Sequence, residues 1–271
     1  AIGAFSMGTA GILLVLVAYD KLASDYKLML CHPKILLLGG ISIAVYPLAF
    51  YSSMRLSGVA IGTVVSIASA PFFAAIFDCL ISKKHISWRW MVSFALGALG
   101  VVLLTLGKVH GTNGSYGIEQ QSVGILLDCV AGLSYASYSW AARRLIEQGV
   151  HSQSSMAGVF GCAAVLLLPS LYFTGSNLFS NSTNAFVALY MAIIPMFVGY
   201  LLFAFGLKFI DASKATLITL TEPVIATVLA IAIVGEKFNS VGWFGIVLVS
   251  LCLSIQTIKP IEQPKLGSEL S

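Results

Sequence analysis

The sequence predicts an all-α integral membrane protein: a polytopic helical bundle of two inverted five-helix repeats, of which nine spans are visible. Three observations carry that prediction. Of 271 residues, 58% are hydrophobic and 10% charged, against about 25% charged in an ordinary soluble domain. With a mean hydropathy of +0.93, the chain has too few charges to cover a soluble surface. Apolar runs near the length of a bilayer crossing recur from one end of the chain to the other, and lysines and arginines alternate in abundance from link to link.

The apolar runs fall at 2–18, 35–53, 58–81, 88–107, 122–142, 155–173, 185–209, 212–234 and 240–258. The links between them are short and leave no material for a soluble domain. Every second link is basic. One set holds Lys21, Lys27, Lys34, Lys83, Lys84, Arg89, Arg143, Arg144, Lys208, Lys214, Lys259 and Lys265. The other holds Arg55, Lys108 and Lys237. Twelve against three is the split that cytoplasmic retention of positive charge requires, and one span miscounted in the middle would scramble it. It places the C-terminus in the cytoplasm and Ala1 on the far side of a cell membrane. No basic region precedes the first apolar run, so a signal peptide is not expected.

Shifting the chain by 152 residues sets Pro71 on Pro223, Ala60 on Ala212, Ala74 on Ala226 and Thr105 on Thr257. Two unrelated apolar hairpins would give a similar coincidence. Orientation favours a repeat: five spans separate corresponding elements, so the two copies are inverted, as in many secondary transporters. The expected divisions are a first repeat at 1–107, an extracytoplasmic linker at 108–121, a second repeat at 122–258 and a polar cytoplasmic tail at 259–271. Two five-helix units make ten spans, and the arithmetic puts the tenth before residue 2.

The segment Thr221-Glu222-Pro223-Val224-Ile225-Ala226-Thr227-Val228-Leu229-Ala230, followed by Gly235-Glu236-Lys237 and Gly242-Trp243-Phe244-Gly245-Ile246, resembles the EamA-type drug/metabolite transporter superfamily. So does Ser57–Ala75 in the first half. The resemblance covers essentially the whole chain and is nearest the ten-helix branch that handles amino acids, carboxylates and amines. It implies export of amino acids or related metabolites and no cofactor. Two departures stand out: Lys83-Lys84 where the first repeat would carry its own Gly-Glu, and the missing first helix, which would ordinarily line the cavity.

Three carboxylates lie inside spans: Asp78, Asp128 and Glu222. An acid at the bilayer centre costs about 2.5–3.5 kcal/mol on insertion scales and by default marks a water-accessible path. At 100° per residue Glu222 shares a face with Ala215, Thr219 and Ala226, opposite Leu217, Leu220, Val224 and Ile231. That small, polar face suits either a substrate ammonium or coupling proton, or a buried acid satisfied by neighbours. Asp128 shares its face with Gly132, Tyr135 and Ser139 and reads either as cavity wall or as a carboxylate reaching external water. Asp78, near Lys83 and Lys84, reads as an interfacial acid.

Tyr46, Tyr135, Tyr138 and Tyr200 could pack on a substrate, offering apolar area, a hydroxyl and cation–π capacity; interhelical packing is the alternative for each. The candidate substrate-binding set is therefore Glu222, Thr219, Asp128, Tyr135, Ser139, Tyr46, Tyr200 and Ser66. Trp88, Trp90 and Trp243 lie near span ends as interface anchors. Ser93, Gly97 and Gly100, with Gly242 and Gly245 or Ser250 and Ser254 in the last span, suit close helix packing. Asn113 and Asn181 head glycosylation patterns on the outer side that chance also produces. The five cysteines show no ligand spacing and read as free thiols, and the four histidines lie in links. No metal motif, phosphate loop or nucleic-acid patch is present.

The expected function is thus secondary transport of small polar metabolites such as amino acids, with protons as a candidate coupling ion. A membrane-embedded enzyme using Asp128 and Glu222, or a non-transporting scaffold, are the rival classes.

Overall fold

The computed structural model describes residues 1–107, 118–175, 178–234 and 239–257. Among them, every regular element is helical: α1 (Ile2–Val17), α2 (Tyr19–Cys31), α3 (Pro33–Ser57), α4 (Val59–Leu80), α5 (Trp88–Leu106), α6 (Ile118–Glu147), α7 (Ser152–Thr174), α8 (Ser182–Met191), a π segment (Ala192–Val198), α9 (Gly199–Leu207), α10 (Ala212–Ile218), α11 (Thr221–Leu229), a second π segment (Ala230–Val234) and α12 (Ser240–Thr257). Seven stretches are long and apolar enough to cross a bilayer, or eight if the bent pair α1–α2 counts as one.

The predicted run at 122–142 belongs to α6, which falls outside that count because its sequence is rich in serine, glycine and tyrosine. Its position explains the composition. α6 packs along α3 and α4 and touches α7, α9 and α10, and from Ser134 to Leu145 nearly every residue is buried. That half of the helix is walled in by protein and has little contact with lipid tails. At 30 residues it is about 45 Å long, enough to cross a bilayer.

The link after the first span is a helix and not a loop. α2 leaves α1 at 96° and lays Leu22 and Met29 against the hydrophobic core around α7. Asp25 fixes it there, accepting from the His151 backbone N–H at 2.9 Å, with the His151 ring Nδ1 also 2.9 Å away. Lys21 adds a bond to Gln153.

Two large apolar clusters hold the bundle, with a smaller third at Trp140, Ala141 and Ala212. One joins α1, α3, α6, α7 and α9 through Met7, Leu14, Ile43, Tyr138, Phe160 and Leu207. The other joins α5, α10 and α12 through Val101, Leu104, Leu217, Leu220 and Val249. The most extensive helix pairings are α3–α6, α5–α12, α1–α7 and α4–α6. In the second of these the predicted small residues do bring backbones together. A Cβ on Gly100 would lie 2.9 Å from the Gly245 carbonyl oxygen, and one on Gly245 would lie 2.6 Å from the Gly100 carbonyl oxygen. Ser250 and Ser254 instead face outward and bond back to the carbonyls of Ile246 and Ser250.

Several further expectations are corrected. Trp88 and Trp243 are exposed, as interface anchors should be, but Trp90 is 5% exposed. It stacks on Phe94 with ring centroids 5.3 Å apart and donates from Nε1 to the Ser213 carbonyl at 3.2 Å. Asp78 is no interfacial acid: it is 1% exposed and accepts from the Ser213 backbone N–H at 3.1 Å, capping the start of α10. Asn181 spends its side-chain oxygen on the Asn184 N–H at the start of α8. Asn113, Lys108, Lys237, Lys259 and Lys265 lie outside the described residues.

The α5–α12 contact gives a direct test. Gly100→Val should lower the thermal midpoint of the detergent-solubilised protein by several degrees, because overpacking of about 1–3 kcal/mol meets the Gly245 carbonyl and the Val249 backbone nitrogen as well as the Val249 side chain. Gly206→Ala, where nothing lies within 4 Å of the added carbon, should leave the midpoint unchanged.

Candidate functional site

The acid that drew attention in the sequence stands at a break in its own span. α10 ends at Ile218 and α11 begins at Thr221. Pro223 explains the restart, because its fixed φ and missing N–H suit a first helical turn and not a helix interior. The turn between them is closed by Glu222 N–H to Thr219 O at 2.9 Å. A second irregularity faces it in chain order: Pro195 sits inside the π segment Ala192–Val198, and π segments with wider backbone spacing are frequent at functional sites.

Glu222 opens into a chamber of about 160 Å³. Ser6 of α1, Tyr46 and Phe50 of α3, Tyr135 of α6 and Thr219 at the end of α10 line it with Glu222, and Met7, Met191 and Met196 supply soft walls. The rings make one connected cluster: Tyr46 and Phe50 stack at 5.5 Å, and Tyr46 lies 6.0 Å from Tyr135 and 6.3 Å from Tyr138. Gly3, Pro47 and Tyr51 line both this chamber and a neighbouring vestibule of about 580 Å³, which Arg55, Ser170 and Thr174 also line. That is the end of the molecule where the sparsely charged links lie.

The opposite end is closed. Behind the chamber the hydroxyls of Tyr138 and Tyr200 bond to each other, and the Tyr200 ring lies 4.5 Å from Phe160. Further along α6, Trp140 Nε1–H donates to Ser82 Oγ at 2.9 Å. Arg143 donates to the carbonyls of Leu207 and Lys208 at 2.6 and 3.0 Å. Last comes an ion-pair network. Lys84 meets Glu147 and Asp211, and Arg143 and Arg144 also meet Glu147, at 3.1 and 3.2 Å. Three basic links, α4–α5, α6–α7 and α9–α10, are thereby tied at one end. From Tyr135 to Glu147 is about 18 Å of helix, so the closure is several side-chain layers deep.

Burial alone would raise the Glu147 carboxyl, but Lys84, Arg144 and Arg143 outweigh it and hold it below its ordinary 4.5. Burial would likewise lower Lys84, and Asp211 with Glu147 hold it above its ordinary 10.5.

Of the eight sequence-derived candidates, Glu222, Thr219, Tyr46 and Tyr135 line the chamber. Tyr200 stands one layer behind. Three lie elsewhere. Asp128 is fully buried near the outer end of α6, accepting from Ser57 Oγ at 3.0 Å with its other oxygen against Gly62. Ser139 is fully buried, and Ser66 donates to the Gly62 carbonyl within its own helix. Ser6, Tyr51 and the methionines were not singled out by sequence. Tyr51 follows Phe50 in the aromatic run of α3, which was a usable signal; Ser6 and Met7 sit in an apolar run without one.

The model of the EamA-like transporter family matches this chain at residues 1–106 and again at 122–255. The chain belongs to the EamA-like transporter family. This EamA-like chain is 28% identical over 266 residues to a Bacillus subtilis (strain 168) protein named "Uncharacterized transporter YwfM", a match covering 97% of this chain and 86% of that protein. A Clostridium kluyveri "Uncharacterized transporter" is 33% identical over 182 residues, 65% of this chain and 57% of that one. The Escherichia coli (strain K12) "Uncharacterized inner membrane transporter YedA" is 24% identical over 220 residues, 77% and 66% of the two chains. A solved structure titled "Crystal structure of protein" superposes with a TM-score of 0.75 at 16% identity, over 94% of this chain and 86% of that one. This EamA-like chain is therefore a multi-pass membrane transporter.

The closing network of this EamA-like transporter has a definite pH signature. Its contribution is full between the ordinary glutamate and lysine values. It is lost as pH falls through the lowered Glu147 value, and again as pH rises through the raised value of Lys84. Its side chains are between a fifth and a third exposed, so each pair contributes only about 0.2–1 kcal/mol. Glu147→Gln should lower the thermal midpoint in detergent by about 1–4 °C at pH 7 and flatten the acid limb of its pH profile.

Proposed function

We propose that this chain is a secondary transporter, working as an exporter of small polar metabolites such as amino acids by alternating access to the chamber at Glu222. The observation that carries the reading is the asymmetry around Glu222: its chamber shares Gly3, Pro47 and Tyr51 with the Arg55 vestibule towards one end, and the Lys84–Glu147–Asp211 network ties the links together at the other. The basic links gather at the sealed end, which positive-charge retention assigns to the cytoplasm together with the C-terminus. The conformation is then outward-open.

Inverted repeats supply the device for exchange. Two family matches within one chain support them. So does the helix pairing: α1 packs on α7, α4 on α10 and α5 on α12, each element meeting its counterpart five spans on. Rocking one set against the other breaks the cytoplasmic network and closes the vestibule. Export is the direction the family resemblance implies.

Within the cycle Glu222 binds a substrate amine or a coupling proton, Tyr46 and Tyr135 pack on the substrate, and Thr219 offers a hydroxyl. Asp128 with Ser57, Ser66 with Gly62, and Ser139 hold the α3, α4 and α6 walls in place. Tyr200 with Tyr138 forms the floor.

Glu222→Gln tests this. With the protein reconstituted in liposomes, the variant should be expressed and folded like the parent, yet lose at least nine-tenths of its counterflow of a radiolabelled amino-acid and amine panel, or lose any dependence on a proton gradient. Counterflow with unchanged rate and unchanged proton dependence would remove Glu222 from the mechanism.

A further inference from the structure

The helix α2 has three sides of different chemistry. At about 100° per residue, Leu22, Asp25 and Met29 form one stripe, the one laid against α7 and its neighbours. About a quarter-turn round, Tyr19, Ala23, Tyr26 and Leu30 recur at the spacing of a single apolar face. That face is uncovered: Tyr19 is 66% exposed, Tyr26 54% and Leu30 56%, and Ala23 is exposed with them. Asp20, Ser24 and Lys27 occupy the third side, a further quarter-turn on, and all three are exposed.

An uncovered apolar face marks a protein partner or a membrane, and the two ends of α2 decide between them. Only Ala18 separates α2 from α1, and only His32 separates it from α3. The helix ends that it joins are themselves apolar and open: Leu16 and Val17 close α1, Leu37 and Leu38 open α3, and all four are exposed. The face of α2 therefore continues the surface that those two helices turn to lipid. Its 96° turn from α1 lays α2 along the bilayer surface and not through it. Thirteen residues reach about 20 Å, too short to cross. The side chains suit that depth. Tyrosine, an apolar ring with a wet hydroxyl, belongs at the headgroup level, and the exposed Lys27 and Lys34 have stems long enough to carry their charge into it.

We infer that α2 is an interfacial helix whose partner is phospholipid, with Tyr19, Tyr26 and Leu30 seated at the headgroup–acyl boundary of the cytoplasmic leaflet. This goes beyond the transport reading and takes from it only the assignment of the basic end to the cytoplasm. The seat bears on the closed end of the molecule. Asp25 fastens α2 to the backbone of His151, in the link that follows Glu147 and its ion pairs. The leaflet thus holds, through α2, the same α6–α7 link that the closing network ties.

Fluorescence quenching at single cysteines locates the helix. Tyr26→Cys, Leu30→Cys, Ser24→Cys and Leu16→Cys are made one at a time in the full chain without its five native cysteines, labelled with bimane and placed in phospholipid nanodiscs. Each replaced side chain is exposed, so the packing of the bundle does not rest on it. Two quenchers are applied: lipid carrying a nitroxide just below its headgroup, and aqueous iodide. Leu16→Cys gives the lipid reference and Ser24→Cys the water reference. Nitroxide lipid should quench the Tyr26→Cys and Leu30→Cys labels at least half as strongly as the Leu16→Cys label. Iodide should quench them at most a third as strongly as the Ser24→Cys label. Iodide quenching equal to that at Ser24→Cys, with none from lipid, would put the face in water and overturn the proposal. Shielding from both quenchers would overturn it as well, because protein, a second copy or another segment, would then cover the face. Neither result touches the transport reading, which counterflow tests by itself.

Discussion

A single carboxylate held at membrane depth sets the terms for the rest of this molecule. Glu222 cannot rest against hydrocarbon without a penalty of about 2.5–3.5 kcal/mol, so its surroundings must be wet, polarizable or both. Each irregular feature nearby serves that requirement. The span breaks at Thr219 and Leu220, Pro223 restarts it, and the backbone groups released are bonded locally. Tyrosines from α3 and α6 line the chamber together with the acid, which is itself exposed, and their rings tolerate charge.

That arrangement is useful only if the opposite end stays shut. A continuous wet path would be a pore and would not hold a gradient. The closing layers are graded in strength. Close to the chamber they are apolar and fully buried, as with Tyr138 and Phe160. At the end they are ion pairs and bonds to the α9 carbonyls, partly exposed and individually weak. A transporter must populate two conformations separated by a few kcal/mol, and several weak bonds spread over three links can break together where one deep apolar seal could not. In the proposed alternating-access cycle the link residues take part in the mechanism, and Lys84, Arg143 and Arg144, members of the basic links, are the ones that tie the closed end.

The fold was largely open to inspection in the sequence because membrane spans declare themselves by length and apolarity. The exceptions are instructive. α6 reads as only weakly apolar because its half from Ser134 to Leu145 is packed within protein. α2 was invisible as a helix because its ordering comes from contacts 126 residues away, between Asp25 and His151, which no local pattern records. The site was open to inspection by residue type and not by depth. Asp128, Gly132, Tyr135 and Ser139 share one helical face, and helical periodicity alone cannot separate them. Yet that stripe is about 16 Å long: Tyr135 meets the chamber, while Asp128 sits above it against α3 and α4 and Ser139 below it in the core. Asp78 and Trp90 were misplaced for the same reason. Near a span end, polarity suggests the interface, and only tertiary packing reveals that both residues hold the start of α10.

The account depends on the chamber being reachable from one side of the bilayer at a time. Cysteine labelling measures this most directly, with Thr219→Cys placed in a background from which the five native cysteines have been removed. A membrane-impermeant maleimide should label that cysteine from the outer face and leave it untouched from the cytoplasmic face. Adding Lys84→Gln and Glu147→Gln should raise cytoplasmic labelling at the expense of the outer. Equal labelling from both faces with the network intact, or labelling from the cytoplasm alone, would contradict the account.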